Sequence, residues 1–406
     1  QREILRFPYS NYTSIICDGA VRSGKTSIMS LSFVLWAMGN FNNRAFAICG
    51  KSVGAVERNI VTPLLGIRYL QQNFDMRYNR GDHMIIVRRG VKENRFYLFG
   101  GKDESSAALI QGITLAGVLL DEVALMPRSF VEQALARCSV TGRKLWFNCN
   151  PDSNYHWFYK EWIRRAHERN VLHLHFTMDD NPSLSDDIKA QYKSMFAGIF
   201  YQRYIEGLWV AADGVIYDMF SESENVYRKE DEPKGLRHSA VKYIGVDYGT
   251  INDTVFLEAF DDGETLWITR EYRWASRERH RQKTDSEYAD DFMEFMGSDP
   301  EGACPAIVDP SAASFKEELT RRGVYVRDAE NDVLDGIRKV STLMGQRRLK
   351  ICETCEGLIG EISGYIWDEK ASLNGVERPV KQNDHGVDAA RYLVATMIPG
   401  WRLGEV

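Results

Sequence analysis

Short apolar runs alternate with longer amphipathic ones over the first half of the chain, and this order predicts an α/β fold. Buried strands are predicted at 15–17, 45–49, 117–120 and 144–149. Helices are predicted at 28–38 and 53–65, and a hairpin at 84–89 and 95–99 around Gly90. In α/β sheets, ligands bind at the carboxyl ends of the strands, so the residues that follow each strand are candidates for chemistry.

The pattern changes after residue 150. Aromatic residues and helical periodicity predict a helical bridge within 152–210, and a polar, acidic segment then predicts a connection to a new domain. A three-stranded meander is predicted at 241–247, 254–260 and 266–272, followed by a strand at 306–308 and a C-terminal helix that Asp384 caps. We therefore predict three regions: an N-terminal domain (1–210), a linker (211–236) and a second domain (237–406).

The first predicted strand leads into the motif G-x-x-x-x-G-K-T, and an apolar helix follows it. This strand–loop–helix context is the one that a phosphate-binding loop requires. Glycines allow the backbone to turn its N–H groups toward phosphate oxygens, and the helix N-terminus favours the same anion. Lys25 is expected to reach the β- and γ-phosphates and the Thr26 hydroxyl to bind Mg²⁺. The predicted loop contacts are Gly19, Arg22, Ser23, Gly24, Lys25 and Thr26.

Two later strands end in polar residues that belong at the same sheet edge. Asp121 and Glu122 follow the strand at 117–120; Asp121 is expected to hold Mg²⁺, and Glu122 to orient and deprotonate the attacking water. Asn150 follows the strand at 144–149, where it either senses the γ-phosphate or terminates the strand as part of an Asn-Pro turn.

Composition excludes several classes of protein. The chain is 44% hydrophobic and 27% charged, which is typical of a globular protein, and it has no apolar run of about 18 residues, so we expect no membrane span. We see no signal peptide, and an odd number of scattered cysteines, seven, indicates a reducing compartment. The net charge of −6 does not exclude nucleic acid, because binding depends on local patches.

Three acids in the second domain lie where a predicted element begins or ends: Asp247, Asp309 and Asp388. Carboxylates that converge repel one another unless divalent cations neutralise them, and two metals held in this way form a phosphodiester-cleavage site. His385 is a candidate metal ligand or a partner of one. Acids at strand ends are common, so the residues alone leave this metal site and an ordinary solvent-facing role both open.

The order of these motifs is similar to that of the large terminase subunit of tailed double-stranded DNA bacteriophages. The resemblance is carried by G-A-V-R-S-G-K-T, L-L-D-E-V, N-C-N-P, G-V-D-Y-G, V-D-P-S and D-H-G-V-D-A-A-R-Y, over nearly the whole chain. It implies an N-terminal P-loop ATPase of RecA/ASCE type and a C-terminal RNase H-like nuclease.

The resemblance also implies roles for residues. Arg22 stands at the loop arginine that senses the γ-phosphate, and the segment 148–151 at the motif that couples hydrolysis to motion. Asp247, Asp309 and Asp388 stand at the nuclease metal ligands, with His385 beside them and Mn²⁺ an alternative to Mg²⁺. A trans-acting arginine is not placed; the candidates by position are Arg128, Arg137 and Arg143.

The expected function is that of a motor subunit that hydrolyses ATP, moves double-stranded DNA into a procapsid and cuts it. The expected partners are DNA, a small terminase subunit, a portal protein and further copies of the chain in a ring, in the host cytoplasm and without a membrane. Two alternatives remain open. One is a P-loop translocase or helicase whose second domain binds DNA without cutting it, and the other is a non-catalytic assembly factor.

Overall fold

The computed structural model describes residues 1–249, 252–276, 279–297 and 304–403. The chain divides into two compact units: residues 1–189 with 202–211 form the first, and residues 190–201 with 212–406 form the second. The seven cysteines are buried free thiols. In the described ranges, no helix is long and apolar enough to cross a membrane.

A mixed sheet of eight strands organises the first unit. The strands are β1 (Ser14–Gly19), β2 (Arg44–Gly50), β3 (Asp75–Asn79), β4 (Met84–Arg89), β5 (Lys92–Gly100), β6 (Gly117–Asp121), β7 (Lys144–Asn148) and β8 (Val171–Phe176). Their order is β3-β4-β5-β2-β6-β7-β1-β8. Strands β5, β2, β6, β7, β1 and β8 run parallel, and β3 and β4 extend the sheet as antiparallel neighbours. Parallel strands bring their carboxyl ends to one edge, which is where the predicted motifs lie.

The helices up to residue 194 lie before, between and after these strands. They are α1 (Arg2–Arg6), α2 (Lys25–Asn40), α3 (Val53–Val56), α4 (Thr62–Leu65), α5 (Arg68–Asn73), α6 (Arg128–Arg137) and α7 (Asp186–Ser194). One π-helical turn, Glu57–Val61, joins α3 to α4, and another covers Tyr159–Ile163. The predicted helix at 53–65 is therefore present, but it contains an irregular turn.

Side chains of β1 alternate between two hydrophobic cores, because successive residues of a strand point to opposite faces. Ile15 belongs to the core that contains α2, and Ile16 to the core that contains α6. Trp146 is fully buried in the first core, with its ring centroid 5.0 Å from Phe33 and 4.8 Å from Trp36. This packing fixes α2, and with it the loop that precedes α2, against the centre of the sheet.

The segment predicted as a helical bridge is only partly helical. Helix α7 lies within it, but Val171–Phe176 forms the edge strand β8, so the helical prediction is wrong there. The sequence V-L-H-L-H-F alternates apolar and polar residues, which is the period of a strand with one solvated face. The helical prediction was based on the aromatic residues at 155–162, and the alternation at 171–176 is too short to have changed it.

A second, seven-stranded sheet organises the second unit. The strands are β9 (Val226–Tyr227), β10 (Val241–Asp247), β11 (Thr254–Asp261), β12 (Leu266–Trp274), β13 (Ala306–Val308), β14 (Val326–Asp328) and β15 (Leu349–Cys352), in the order β14-β13-β10-β11-β12-β15-β9. Strands β10, β11 and β12 form the predicted antiparallel meander, and β13 and β14 continue it in parallel. This arrangement is RNase H-like.

The remaining helices follow residue 194 along the chain. They are α8 (Gly198–Tyr204), α9 (Glu222–Asn225), α10 (Leu236–Ser239), α11 (Asp285–Met296), α12 (Ala313–Arg321), α13 (Val333–Gly345), α14 (Glu356–Gly364), α15 (Glu369–Leu373) and α16 (His385–Met397). Residues 212–236, from the predicted linker, lie in the second unit, where β9 pairs with β15 and Asn225 donates to the Leu349 carbonyl at 3.1 Å. No pattern in the sequence indicated this pairing, because β9 has only two residues.

Helix α16 crosses β10 closely because residue 245 is a glycine. A Cβ atom on Gly245 would lie 2.5 Å from Leu393 Cγ and 2.6 Å from the Ala389 carbonyl oxygen. Such distances leave no room for a side chain, so only glycine permits this approach. The approach places the N-terminal half of α16, with Asp388, beside the carboxyl end of β10, where Asp247 lies.

Candidate functional site

The loop between β1 and α2 needs glycine at two positions. Gly19 has φ +122°, and a Cβ there would lie 1.9 Å from the Phe176 carbonyl oxygen. Gly24 has φ +82° and immediately precedes α2. Hydrogen bonds to two later segments of the chain also fix the loop: Ala20 N–H donates to Phe176 O at 2.8 Å, and Val21 N–H donates to Tyr204 O at 2.9 Å. The loop therefore has a fixed shape with its N–H groups at the start of a helix.

Lys25 lies inside this loop. Its Nζ donates to the carbonyl oxygens of Gly19 at 3.0 Å and Ala20 at 2.7 Å, to Ser23 Oγ at 3.1 Å and to Asn150 Oδ1 at 3.2 Å. Burial lowers the pKa of Lys25, while nearby groups such as Asp18 and Asp121 oppose that shift. Lys25 and Asn150, predicted from separate motifs, are thus direct neighbours.

Thr26, Asp121 and Asn148 form a second contact group beside Lys25. The Thr26 hydroxyl donates to Asp121 Oδ1 at 3.2 Å, and Asn148 Nδ2 donates both to Thr26 Oγ1 at 2.8 Å and to Asp121 Oδ1. Burial raises the pKa of Asp121, against the hydrogen bonds from Asn148 and Thr26. The sequence analysis did not predict these contacts of Asn148. Its position at the end of β7 is the sequence feature that could have indicated them.

Glu122 has a left-handed backbone, with φ 55° and ψ 49°. This conformation is uncommon for residues other than glycine and is found preferentially at functional sites. Burial raises the pKa of Glu122, and the charge of Asp121 raises it further. The strained turn places a carboxyl group directly after β6, at the edge of the sheet.

These residues line one cavity of about 510 Å³. Its lining includes the loop (21–27), Asp121, Glu122, residues 148–150, Asn181 and three residues of the helix after β2: Arg58, Asn59 and Pro63. The volume lies within the range of small-molecule sites. The cavity does not include Arg128, Arg137 or Arg143, and Arg128 is paired with Glu132 and Glu161.

A buried carboxylate lies just before the loop. Asp18 on β1 is bound by His173 Nε2 at 2.8 Å, His175 Nδ1 at 3.1 Å and Trp209 Nε1 at 2.6 Å. Burial alone would raise the pKa of Asp18, but the hydrogen bonds from the two histidines and Trp209 hold it below its usual value. The hydrogen bond that His175 makes to Asp18 raises the pKa of His175, against its partial burial.

We expect this cluster to make the first unit less stable as pH rises. The raised pKa of His175 gives stability that is complete below about pH 6.5, its unfolded value, and that is lost as pH rises through the folded value. Asp18 stays ionised throughout this range and does not change the slope. Thermal melting of wild type and His175→Gln between pH 6 and 8 tests this: the variant should have the flatter profile. Identical profiles would contradict the assignment.

In the second unit, Asp247 and Asp309 occupy neighbouring strand ends. Val246 pairs with Val308 across parallel strands, and the two aspartates follow directly. His385 Nδ1 lies 2.8 Å from Asp247 Oδ2. Burial raises the pKa of Asp247, against the hydrogen bond to His385, and the Asp388 charge adds to the rise.

Tyr392, on α16, links the remaining acids. Its hydroxyl donates to Asp309 Oδ2 at 2.7 Å, and it lies one turn after Asp388. Asp388 itself accepts from Arg391 at 3.0 Å and from Lys381 at 3.0 Å. In the described ranges, no group of three or more His, Cys, Asp or Glu side chains is arranged to hold a metal ion. The structure thus brings the acids to one edge but pairs Asp388 with cations, and the metal assignment stays a prediction.

The N-terminus of α16 is fixed by a residue that sequence reasoning missed. Glu361 on α14 accepts from Gly386 N–H at 2.6 Å and Val387 N–H at 3.0 Å, and it pairs with Arg273 at 2.6 Å. A carboxylate at a helix N-terminus satisfies free N–H groups and complements the helix dipole. Glu361 meets residues 386 and 387 only in the folded chain, and no motif in the sequence indicates this contact.

Removing this carboxylate should loosen α16. We expect Glu361→Ala to destabilise the second unit by about 1–3 kcal/mol, because two helix N–H groups and Arg273 lose a buried acceptor. Hydrogen exchange of peptides covering 385–397 should become faster in the variant. Glu356→Ala, an exposed position on the same helix, is the matched control and should leave exchange unchanged. Equal protection in both variants would show that Glu361 does not fix α16.

The first unit has the sheet, loop and Asp-Glu pair of a P-loop nucleoside triphosphatase, and the second unit has the RNase H-like sheet. A family model described as "Terminase large subunit, T4likevirus-type, N-terminal" matches residues 16–224. The chain belongs to the large terminase subunit family, which confirms both the resemblance and the fold class predicted from the sequence.

Solved structures extend the match over both units. The large terminase of a thermophilic bacteriophage is 47% identical, with a TM-score of 0.90 and 98% of each chain covered. The same phage protein in complex with ATP-gamma-S is 46% identical, with a TM-score of 0.86 and the same coverage. The large terminase subunit of Escherichia phage T5 is 25% identical over 57% of this chain, which spans about half (53%) of that relative.

Proposed function

We propose that the chain is a viral DNA-packaging motor subunit that couples ATP hydrolysis to movement of double-stranded DNA and also cuts that DNA. One observation carries the proposal: Lys25, Thr26, Asp121, Glu122 and Asn150, which come from three separate strand ends, line a single cavity. Their side chains supply a cation for phosphate, oxygen ligands for a hard metal and a base. The thermophilic phage protein, 46% identical, has been solved with ATP-gamma-S and with ADP, which supports a nucleotide as the ligand.

At this site, the loop N–H groups and Lys25 bind the phosphates. Mg²⁺, when bound, neutralises charge on the β- and γ-phosphates. The residues fit this ion: Thr26 and Asp121 offer oxygen atoms, and Asn148 Oδ1 is buried without a hydrogen-bond partner in the described chain. An oxygen in that state is costly unless a ligand satisfies it.

Glu122 acts as the base. A carboxylate with a raised pKa accepts a proton more readily than an ordinary one, provided it is ionised at the working pH. Glu122 lines the cavity, and its left-handed backbone turns the chain directly after β6. Arg22 senses the terminal phosphate from the loop. Asn181 Nδ2 donates to the Arg22 carbonyl oxygen at 2.7 Å, and this hydrogen bond holds the loop backbone in place.

Asn150 transmits hydrolysis to the rest of the unit. It contacts Lys25 directly and precedes Asp152, which pairs with Arg203 at 3.2 Å. A change in the contacts of Lys25 when the terminal phosphate leaves therefore reaches the segment 202–211 through Asn150, Asp152 and Arg203. Movement of DNA then follows from a shift between two conformations.

In the second unit, we propose Asp247, Asp309 and Asp388, with His385 beside them, as the cleavage site. Their oxygen atoms suit Mg²⁺ or Mn²⁺, which would activate water and stabilise the leaving oxygen. In this structure, however, His385 binds Asp247, Tyr392 binds Asp309, and Lys381 and Arg391 neutralise Asp388.

The partners proposed with this function are double-stranded DNA, a small terminase subunit, the portal of a procapsid and further copies of the chain in a ring, in the host cytoplasm. DNA contacts should be to phosphates, because packaging must accept any sequence. The regions proposed as functional domains are 1–210 and 237–406, joined through 211–236.

Two assays on the full chain test the proposal. Single-turnover ATP hydrolysis with DNA present should give phosphate release, and incubation of plasmid with Mg²⁺ or Mn²⁺ should give nicked and linear products. Hydrolysis without cleavage would favour the translocase alternative, in which the second unit only binds DNA. No hydrolysis with DNA and procapsids present would favour an assembly factor.

A further inference from the structure

Arg58 is an exposed arginine that lines the nucleotide cavity and that no sequence motif identified. It lies on the π-helical turn Glu57–Val61 between α3 and α4, after β2. Strand β2 neighbours β6, the strand that ends in Asp121 and Glu122. Arg58 therefore approaches the cavity from the β2 side, whereas Lys25 approaches it from β1.

The local backbone directs the Arg58 side chain toward the sheet edge. Side chains of helices lean back toward the helix N-terminus, which here lies directly after β2. Arg58 follows this direction: its Nη1 lies 3.5 Å from the place that a Cβ on Gly54, one turn earlier, would occupy. Val56, which immediately precedes the π-helical turn, lies close to this sheet edge, because a Cβ on Gly50 would lie 2.7 Å from Val56 Cγ2 and 3.9 Å from Asp121 O.

The π-helical turn separates Arg58 from its acidic neighbour. A π turn inserts one extra residue into a helix, which changes the direction of the side chains beside it, and such turns are frequent at functional sites. Glu57 faces away from the cavity, where it accepts from the Tyr78 hydroxyl and lies 3.9 Å from His83. Arg58 makes no hydrogen bond or ion pair within the described parts of the chain. An arginine without a partner at the edge of an anion site is available to a ligand.

The charged groups around the cavity indicate which part of the ligand Arg58 contacts. The β6 side of the cavity carries the carboxyl groups of Asp121 and Glu122, so a terminal phosphate placed there for attack gains negative neighbours. Lys25 already contacts four oxygen atoms on the loop side. We propose that Arg58 is a further catalytic residue, whose guanidinium contacts the terminal phosphate from the β2 side of the cavity.

This inference rests on the proposed ATP hydrolysis. In that step, the water oxygen forms a bond to the terminal phosphorus, the bond to the bridging oxygen breaks, and the water proton passes to Glu122. Arg58 exchanges no atoms or electrons; it stabilises the charge that spreads over the terminal phosphate oxygens. A preorganised cation at that position contributes mainly to the transition state and little to ground-state binding.

Kinetics of Arg58 variants in the full chain test the inference. We expect Arg58→Ala to lower kcat by about 10³–10⁵-fold, the range known for arginines that act on a transferring phosphoryl group. The Kd for ADP, which lacks the terminal phosphate, should stay within about 3-fold of wild type. Arg58→Lys should recover part of kcat, since it keeps the charge but loses the planar fork.

Matched variants separate the possible failures. Arg68→Ala, an exposed arginine on α5 outside this cavity, should leave kcat unchanged. The inference would be overturned if Arg58→Ala kept a kcat near that of wild type, or if it lost as much ADP affinity as kcat. In either case, turnover by the wild-type protein would still support the proposed function. Absence of turnover in wild type would overturn both. ADP binding by each variant also establishes that it is folded.

Discussion

Replacing Glu122 by alanine or glutamine should abolish ATP turnover while nucleotide binding persists. The carboxyl group lies in the cavity beside Asp121, has a raised pKa and is held by a strained backbone, so its removal takes away the base and leaves the phosphate loop intact. Loss of a general base costs about 10²–10⁴-fold in rate. Single-turnover phosphate release measures the loss, and fluorescence of a bound ADP analogue measures affinity.

The same variants should still cut plasmid DNA, because cleavage is assigned to the second unit. Glu168→Gln is the control: it removes an exposed glutamate of the first unit that, within the described chain, pairs only with Arg165 at 2.7 Å. Turnover by Glu122→Gln within about 10-fold of wild type would reject the base assignment, since a positioned base contributes more than that.

Asp309→Asn and Asp388→Asn should have the converse effect. Each keeps the size of the side chain but removes a charge from the edge shared by β10, β13 and α16, so metal-dependent cleavage should fall by about 10²-fold or more while ATP turnover is unchanged. Plasmid nicking with Mn²⁺ and Mg²⁺ measures the loss. Binding of Mn²⁺ to the protein without DNA, followed by electron paramagnetic resonance, should weaken in parallel.

Asp231→Asn, an exposed aspartate of the same unit, provides the matched control and should behave as wild type. Lys381→Ala gives a second check, since it removes a cation that pairs with both Asp384 and Asp388. If the acids bind metal, this variant should bind Mn²⁺ more tightly. Undiminished cleavage by Asp309→Asn would mean that this carboxylate is not a ligand.

The sequence predicted the elements that carry strong periodicity. The strand–loop–helix around Lys25, the strands that end at Asp121 and Asn148 and the meander from Val241 are present in the structure. Each is a continuous apolar run bounded by turn residues, so local pattern and tertiary burial agree. Strand β8 was missed because its short polar–apolar alternation lies in an aromatic-rich segment, and β9 because two residues carry no pattern.

The candidate sites were predictable only where a motif carries the chemistry. Lys25, Thr26, Asp121 and Glu122 belong to such motifs, and the structure places them in one cavity. Glu361 and Arg58 were not found, since each acts through neighbours that are distant in sequence. Asn148 was placed only within the segment 148–151, without its contacts to Thr26 and Asp121. Glu361, for instance, meets the helix N-terminus 25 residues later only after α14 has packed beside α16. Single-sequence reasoning has no access to such pairings.

The hydrogen bonds that hold the phosphate loop affect how the protein matures on the ribosome. Ala20 and Val21, near the N-terminus, depend on carbonyl oxygens of Phe176 and Tyr204, which are synthesised more than 150 residues later. A nascent chain that ends before this point lacks the partners that shape the loop. Contacts so remote along the chain form late, because the intervening segment must first be ordered. We therefore expect the phosphate loop to reach its final shape only after most of the first unit has left the exit tunnel, although the loop residues themselves emerge much earlier.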